Sequence, residues 1–549
     1  MLLNNVKVLR PLDTKIQAKG KYRYVYKVVA QKYIPEKKYT LDTRKVIGRM
    51  IDDEYMIPNE DFSTYYPDVT LEMETISEVS DTLKVGNYSV LNKIYEESEI
   101  RALLDSFFPT YSSLIQDLVY YMVVKEDSAI QHFPDFFYDH PSFGKKIYSD
   151  SAISMILKEE EFSHENTEHF LKAWANLNND QGKVYLSYDS TNMTTEADIE
   201  LARRGHSKSG ENEPQVNISY AVRQRDTLPL LYEIYDGSII DNSECVYAID
   251  RMKEYGLTNI GFIMDRGYFS KKNMNHILNH GYHFILAIKE STGLVKEFIQ
   301  EAGLKLQMKN EYYLAEHQVY GTTKKINLYD KEVYLHLYHD NIRAQQERNA
   351  YLSEIAEAEK ALEKKIEKKT QRKENLTAYG KKFSFKFDTN GYFVSYKRKE
   401  AAIEKVTRGL GFFALITSEQ MEASEALRIY RDRDVVEKMF RSLKSYLDYD
   451  SFRVHSEESL KAKTFIVFIA SIVRSKIQDK TKELYKGDRK NYTVPACIRE
   501  LEKVEVTKGS NQQYKRTSAI NAKNKKILKR FEIDEKYIDS TSRAATKGL

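Results

Sequence analysis

The chain has little cysteine, little net charge and no long apolar run. Two cysteines, Cys245 and Cys497, in 549 residues exclude a disulfide scaffold and any cysteine-rich zinc module; they fit a reducing cytoplasm. Lys and Arg number 85 against 81 Asp and Glu, a net charge of +4. That balance excludes a uniformly basic, histone-like binder, so any nucleic-acid site must be a local patch. The first residues, MLLNNVKVLRPLDTK, hold no apolar signal core. The longest apolar run, Phe465 to Ala470 and on through Ser471 to Val473, is too short to span a bilayer and reads as a buried helix. These absences predict a soluble, cytoplasmic protein. Tryptophan is nearly missing, Trp174 standing beside 41 tyrosines. What is present suffices for folded cores, because a hydrophobic fraction of 41% excludes global disorder. The length suggests about three or four domains.

Residues 1–85 read as a small β-rich module. Tyr22, Tyr24, Tyr26 and Val28 alternate with Arg23, Val25 and Lys27, the period of a strand, and Arg44–Gly48 reads as a second. Its basic residues could touch DNA or form a solvated strand face. Residues 86–180 read as helical: Ile100, Leu103, Leu104 and Phe107 share one helical face, and Phe170, Leu171 and Trp174 another. Between 181 and 292 the pattern predicts strands at Val184–Tyr188, Gln215–Val222 and Leu228–Tyr235. A helix at Asn242–Tyr255, strand Ile260–Met264, helix Lys271–His280 and strand Tyr282–Ile288 follow. Three strands in a meander, then helix, strand, helix, strand, is the order of an RNase H-like α/β core.

Residues 293–410 interrupt that order with short strands and a charged helix over Ala344–Leu376, whose Leu352, Ile355, Leu362 and Ile366 recur near helical spacing. Glu359 and Lys369 weaken the seam, so the stretch reads as a packed protrusion rather than a dimerisation zipper. Asp388-Thr-Asn-Gly391 marks a hairpin turn. The core resumes over 411–480 with strand Phe412–Ile416 and a helix from about Ser424. Residues 481–549, with Lys523, Lys525, Lys526, Lys529 and Arg530, read as a basic tail.

The chemistry concentrates on three acids. Tyr430, Arg433, Glu437, Arg441 and Lys444 fall on one narrow stripe of a single helix at ~100° per residue. Val436, Met439, Phe440, Leu443 and Leu447 form its core face. Asp189 and Asp265 each end a short apolar strand, and in this strand order those strands are neighbours. Three carboxylates in one place repel unless a cation neutralises them. Hard oxygen ligands suit Mg²⁺, and two ions roughly 4 Å apart clamp an in-line phosphoryl displacement. Arg433, Lys444 and Arg266 would then hold substrate phosphates.

Tyr430-x2-Arg433-x3-Glu437-x6-Lys444 reproduces the Tyr-Arg-Glu-Lys signature of the DDE transposases of the insertion-sequence four family. Asp265-Arg-Gly-Tyr-Phe269 resembles that family's second-Asp motif, and Tyr188-Asp189-Ser-Thr191 its first. The resemblance covers about residues 180–475, including the large insertion between Asp265 and Glu437. It implies an RNase H-like catalytic core in which Asp189, Asp265 and Glu437 are catalytic and bind two Mg²⁺ or Mn²⁺ ions. Tyr430, Arg433 and Lys444, with Arg266 and Arg441 beside them, would contact transposon-end DNA. Water first frees a 3′-hydroxyl at the element's end, and that hydroxyl then attacks target DNA, in cut-and-paste transposition. Joining two ends implies a homodimer. One stretch departs from the pattern: Leu460-Lys-Ala-Lys463 stands where relatives often carry a Gly-His pair.

The same triad would serve an RNase H-like nuclease without strand transfer, and a degenerate element could persist as a DNA-binding scaffold; the intact carboxylate trio argues against decay. Weaker signals remain. His276-x3-His280 puts two histidines on one helical face with His283 near, but zinc would need a third ligand and a neighbouring carboxylate, so a surface helix is the plainer reading. Gly205-His-Ser-Lys-Ser-Gly210 lacks phosphate-loop spacing and reads as a flexible polar loop able to contact DNA.

Overall fold

The computed structural model describes residues 7–20, 22–34, 39–69, 79–179, 182–195, 197, 199–204, 213–239, 241–370, 376–449, 451–509 and 513–546. At the N-terminal end five antiparallel strands lie in the order Val8–Leu9, Tyr55–Pro58, Tyr39–Met50, Tyr22–Ile34, Thr14–Lys19. Val8, Val25, Ile47, Met50, Met56 and Phe62 form their core. Among the described side chains of its strand Val25, rather than the tyrosines around it, is the buried one, and Tyr22 is exposed. Four of the sheet's cations face acids: Lys15 and Arg44 meet Asp42 at 2.5 and 3.1 Å, Arg23 meets Asp53 at 2.8 Å, and Lys27 meets Asp13.

The helical region 86–180 does not stand by itself. Helices Gly86–Glu97 and Ser112–Lys125 share one core with helices from the far C-terminal end. The stretch expected as a basic tail is folded into helices Val494–Leu501, Ala522–Arg530 and Glu535–Ala545, and strand Glu505–Lys508 pairs antiparallel with Thr82–Lys84. Ile527, Leu528 and Phe531 are buried: between the lysines lies an apolar face that the charge count concealed.

The central sheet has nine strands: β1 Val184–Thr194, β2 Gln215–Arg223, β3 Leu228–Asp236, β4 Ile260–Met264, β5 His283–Ile288, β6 Tyr313–Leu314, β7 Val319–Leu328, β8 Lys331–His339 and β9 Phe412–Thr417. Across the sheet the order is β6-β7-β8-β9-β5-β4-β1-β2-β3. The meander β1–β2–β3 is antiparallel, whereas β1, β4 and β5 run parallel. Such strands need crossovers, supplied here by helices α1 Asp241–Glu254 and α2 Lys271–Asn279. Residues 293–410 are only partly an interruption, because β6, β7 and β8 extend the sheet beyond β9. What stands apart is α3, Asn341–Glu367. Its Ile355 and Leu362 are buried against Phe383, Phe393 and Ile403 in a separate small core, the packed protrusion its seam predicts. The turn at Asp388–Gly391 closes the hairpin Phe383–Phe387/Phe393–Arg398, with Gly391 at φ +84°, a conformation open to glycine.

Three helices complete the core: α4 Ala423–Arg431, α5 Asp434–Tyr446 and α6 Glu457–Gly487. The apolar run Phe465–Val473 is buried along its whole length in α6. Helix α6 packs on β3 and on helix Ser112–Lys125, so it is apolar all round because both sides are covered. No helix among the described residues is long and apolar enough to cross a membrane.

Lys463 is one of two buried cations on α6, with Arg474: it is 1% exposed and its Nζ donates to the Phe452 carbonyl at 3.0 Å. Burial, aided by Arg453, pulls its pKa down to about 8. The unfolded chain then holds more protons than the folded one between that value and the ordinary lysine range, so this residue makes stability rise with pH across that window. Lys463→Met, after allowing for the orphaned Phe452 carbonyl, should stabilise the protein by ~2 kcal/mol at neutral pH. The gain should shrink as pH climbs towards 10.5, the ordinary lysine value. Chemical denaturation of both proteins across that range checks it; a gain independent of pH would mean the ammonium is not what strains the site.

Candidate active site

The site is built where β1 and β4 run side by side. Ile263 pairs with Ser187, and the same parallel register, continued two residues, sets Asp265 beside Asp189. Strand alternation puts both aspartates on the face that carries Tyr185 and Ile263, which α4 covers with Leu427, Ile429 and Tyr430. Asp265 follows its strand directly, as the sequence predicts. Asp189 does not end one: β1 runs on to Thr194, because Ser190–Thr194 keep pairing with β2, and Asp189 lies mid-strand.

The single helix expected across Tyr430–Lys444 is two helices. Between α4 and α5 the hydrogen bonds tighten to an i→i+3 pattern: Arg433 N to Tyr430 O at 3.0 Å, Val435 N to Asp432 O at 3.3 Å and Val436 N to Arg433 O at 3.1 Å. Tyr430 and Glu437 therefore belong to different helices, with Arg433 at the corner. The core face of α5 is as its spacing implies: Val436, Met439, Leu443 and Leu447 are buried, and Phe440 is half-buried.

From that corner the Arg433 guanidinium bridges two acids. Nη1 lies 3.4 Å from Asp189 Oδ2 and Nη2 2.5 Å from Glu437 Oε1. Its side chain is 13% exposed, that of Glu437 55%. Burial works against the arginine's charge, but Tyr430, Asp189, Asp265 and Glu437 outweigh it and raise its pKa. Tyr430 lies under the guanidinium, 5.8 Å from its ring centroid; burial pushes its hydroxyl up to about 12, and the Asp265 charge adds to this against the opposing pull of Arg433. The phenol thus stays protonated and able to donate.

Lys444 Nζ donates to the Asn192 carbonyl of β1 at 2.9 Å, tying α5 to the strand that carries Asp189. Asp265 Oδ1 accepts from the Arg266 backbone N–H at 2.6 Å, while the Arg266 and Arg441 side chains are exposed at the rim. The structure thus gathers Asp189, Asp265, Tyr430, Arg433 and Glu437 at one place, with Lys444 further along β1. The polar loop 205–210 lies outside the described residues.

Three carboxylates are the donor set that Mg²⁺ or Mn²⁺ takes. Their oxygens do not all fall within 4.8 Å of one another. The Arg433 guanidinium stands between Asp189 and Glu437 and supplies the positive charge. The ligand types fit a divalent ion, and Glu437, exposed on the first turn of α5, is the carboxylate of the three with room to move.

One feature escaped the sequence reading. A cavity of about 200 Å³ opens beside the start of β1, lined by Lys183, Tyr185, Arg223, Gln224, Arg428 and Asp432 among others. Gln224 Nε2 in it donates to Ser187 Oγ at 3.1 Å and to the Ile429 carbonyl at 3.0 Å. The turn Arg223–Thr227 announces only a hairpin; that its cations meet those of α4 depends on tertiary folding.

Among solved structures, that titled "Cryo-EM structure of piggyBac transposase synaptic complex with hairpin DNA" is similar over 79% of this chain and 72% of that chain, at 9% identity and a TM-score of 0.35. No curated protein matches the chain. The family model described as Transposase DDE domain matches residues 180–473, from the start of the central sheet to the buried stretch of α6. That is more than half of the 549 residues, and the chain belongs to this family of DDE transposases.

Proposed function

We propose that the protein is the cut-and-paste transposase of an insertion sequence of the insertion-sequence four family, working in the bacterial cytoplasm as a homodimer on paired element ends. The observation that carries this reading is the meeting of Asp189, Asp265 and Glu437 around Arg433, from two parallel strands and one helix. The order β3-β2-β1-β4-β5 supports an RNase H-like core. Asp189, Asp265 and Glu437 would hold Mg²⁺ or Mn²⁺, two per site; bound there, the ions supply an activated oxygen nucleophile and stabilise the leaving oxygen.

The chain's own groups bind and orient the DNA. Arg433, which now contacts one oxygen each of Asp189 and Glu437, offers a planar guanidinium that can exchange a carboxylate contact for a bidentate grip on a phosphate of the element's end. Tyr430, kept protonated, donates a hydrogen bond beside it. Lys444, Arg266 and Arg441 supply charge along the phosphate backbone. End recognition falls to the module 1–85, the helical region 86–180, or both.

The test is cleavage of labelled duplex spanning the element's boundary, with Mg²⁺. Nicking at the boundary that leaves a 3′-hydroxyl, followed by its joining to a second duplex, is the expected result, and a chelator should stop both. Cleavage without joining would make the protein a nuclease. Specific end binding without cleavage would make it a scaffold.

A further inference from the structure

A second constellation of ligand-type side chains lies away from the three carboxylates. Asp250 near the end of α1, His276 on α2 and His280 just past the end of α2 place one ligand atom each within 4.8 Å of one another. The His276 Nε2 stands 2.6 Å from Asp250 Oδ1, and the His280 Nε2 stands 3.0 Å from the same oxygen. The two rings are 4.4 Å apart. His283 takes no part in this group: its Nδ1 faces Glu419, 3.6 Å away. The carboxylate that the two histidines lacked in the sequence comes from α1.

The tautomers decide what the cluster requires. His280 Nδ1 lies 2.9 Å from the His276 backbone carbonyl. A carbonyl only accepts, so that nitrogen carries a hydrogen. In a neutral ring Nε2 is then bare, and its lone pair points at a carboxylate oxygen that already faces His276. Two acceptors at 3.0 Å repel unless a cation lies between them. A proton on His280 would satisfy one contact; a metal ion would satisfy all three donors at once. The Nδ1–H bond to a backbone carbonyl is also the outer contact by which proteins aim a metal-binding imidazole.

We propose that Asp250, His276 and His280 bind a divalent transition metal, Zn²⁺ foremost, with a fourth position open to water. Two imidazoles and one carboxylate form a ligand set for zinc and its neighbours rather than for Mg²⁺. The ion clips α1 to α2, the two crossover helices on either side of β4 in sequence. Its role is structural: it fixes the helices that frame the strand leading to Asp265, and it touches no substrate. The site stands whether or not the transposition reading does.

The test uses the full chain without a histidine tag, stripped by a chelator and kept in excess Mg²⁺ so that oxygen-only sites are filled. Titration with Zn²⁺ by calorimetry, and with Co²⁺ by visible absorption, should give one equivalent and a low-symmetry cobalt spectrum. Zn²⁺ should raise the melting temperature by several degrees. His280→Ala should weaken binding ~100-fold or more and abolish the shift. Asp250→Asn, an exposed and near-isosteric change, serves as the second variant should His280→Ala fold poorly. Absence of stoichiometric Zn²⁺, or equal binding by the wild type and Asp250→Asn, would overturn the proposal and leave a proton as the cation.

Discussion

Glu437→Gln is expected to abolish cleavage at the element's ends while leaving end binding intact. The change keeps the shape of the side chain and an oxygen for the Arg433 Nη2, now 2.5 Å from Oε1, so α5 and the corner before it should hold. What is lost is a full negative charge from the proposed ligand set. A divalent ion supplies several kcal/mol of transition-state stabilisation, and at 1.4 kcal/mol per decade its loss means ~10³-fold or more in rate. Initial cleavage rates at saturating DNA, with a mobility shift for binding, separate the two effects. A variant that neither binds nor cuts would point to a disturbed helix corner. Cleavage at the wild-type rate would mean that another acid serves as the third ligand. Asp432, whose pKa burial raises, and Asp434, paired with Lys438 at 2.6 Å, would be the next to test.

The largest loss of stability from one side chain should follow Phe465→Ala. Its fully buried ring stacks on Phe108 at 4.9 Å and meets Phe170 edge-on at 5.0 Å. Those partners belong to the helical region, whereas Phe465 belongs to α6 beside the sheet. Truncation removes apolar contact and leaves a cavity that rigid neighbours cannot close, a cost of ~3–5 kcal/mol. Urea unfolding followed at the tryptophan should show an earlier transition, because Trp174, also buried, donates from Nε1 to the Pro229 carbonyl of β3 at 3.0 Å and reports on the same junction. A loss below ~1 kcal/mol would mean the neighbours close around the smaller side chain.

The parts legible in the sequence were those with strong local periodicity. Ile260–Met264 is found at its expected bounds, and β2, β3 and the two crossover helices differ from expectation by one residue at one or both ends. Apolar runs bounded by turns fix such elements before any tertiary contact is known. The breaks were harder. Nothing in Tyr430–Lys444 marks the corner at Arg433, since the residues on both sides are ordinary helix formers and the tightened turn serves to seat α4 and α5 on different parts of the sheet. The extension of β1 past Asp189 was hidden for a similar reason: Ser190-Thr-Asn-Met-Thr194 is polar, and only its pairing with β2 makes it strand. The three acids and Arg433 could be named as candidates because the short motifs around each resemble those of a known family, although the acids lie far apart in the chain. Asp250 could not, because its partners lie 26 and 30 positions away on another helix.

The pairing of Thr82–Lys84 with Glu505–Lys508 has a consequence in time. Thr82 and Thr507 face each other across 425 residues of chain. Everything between them, the whole catalytic sheet included, must leave the ribosome before this small sheet can form. At ~5–20 residues per second the first strand waits about 20–85 s for its partner. During that wait Gly86–Glu97 has part of its core uncovered, since Ile498 and Leu501 arrive late as well. A nascent chain therefore carries every strand of the central sheet before it has a finished body. Truncated translation products would hold the carboxylates yet lack the closing strand, and would be sorted by chaperones and proteases rather than by DNA.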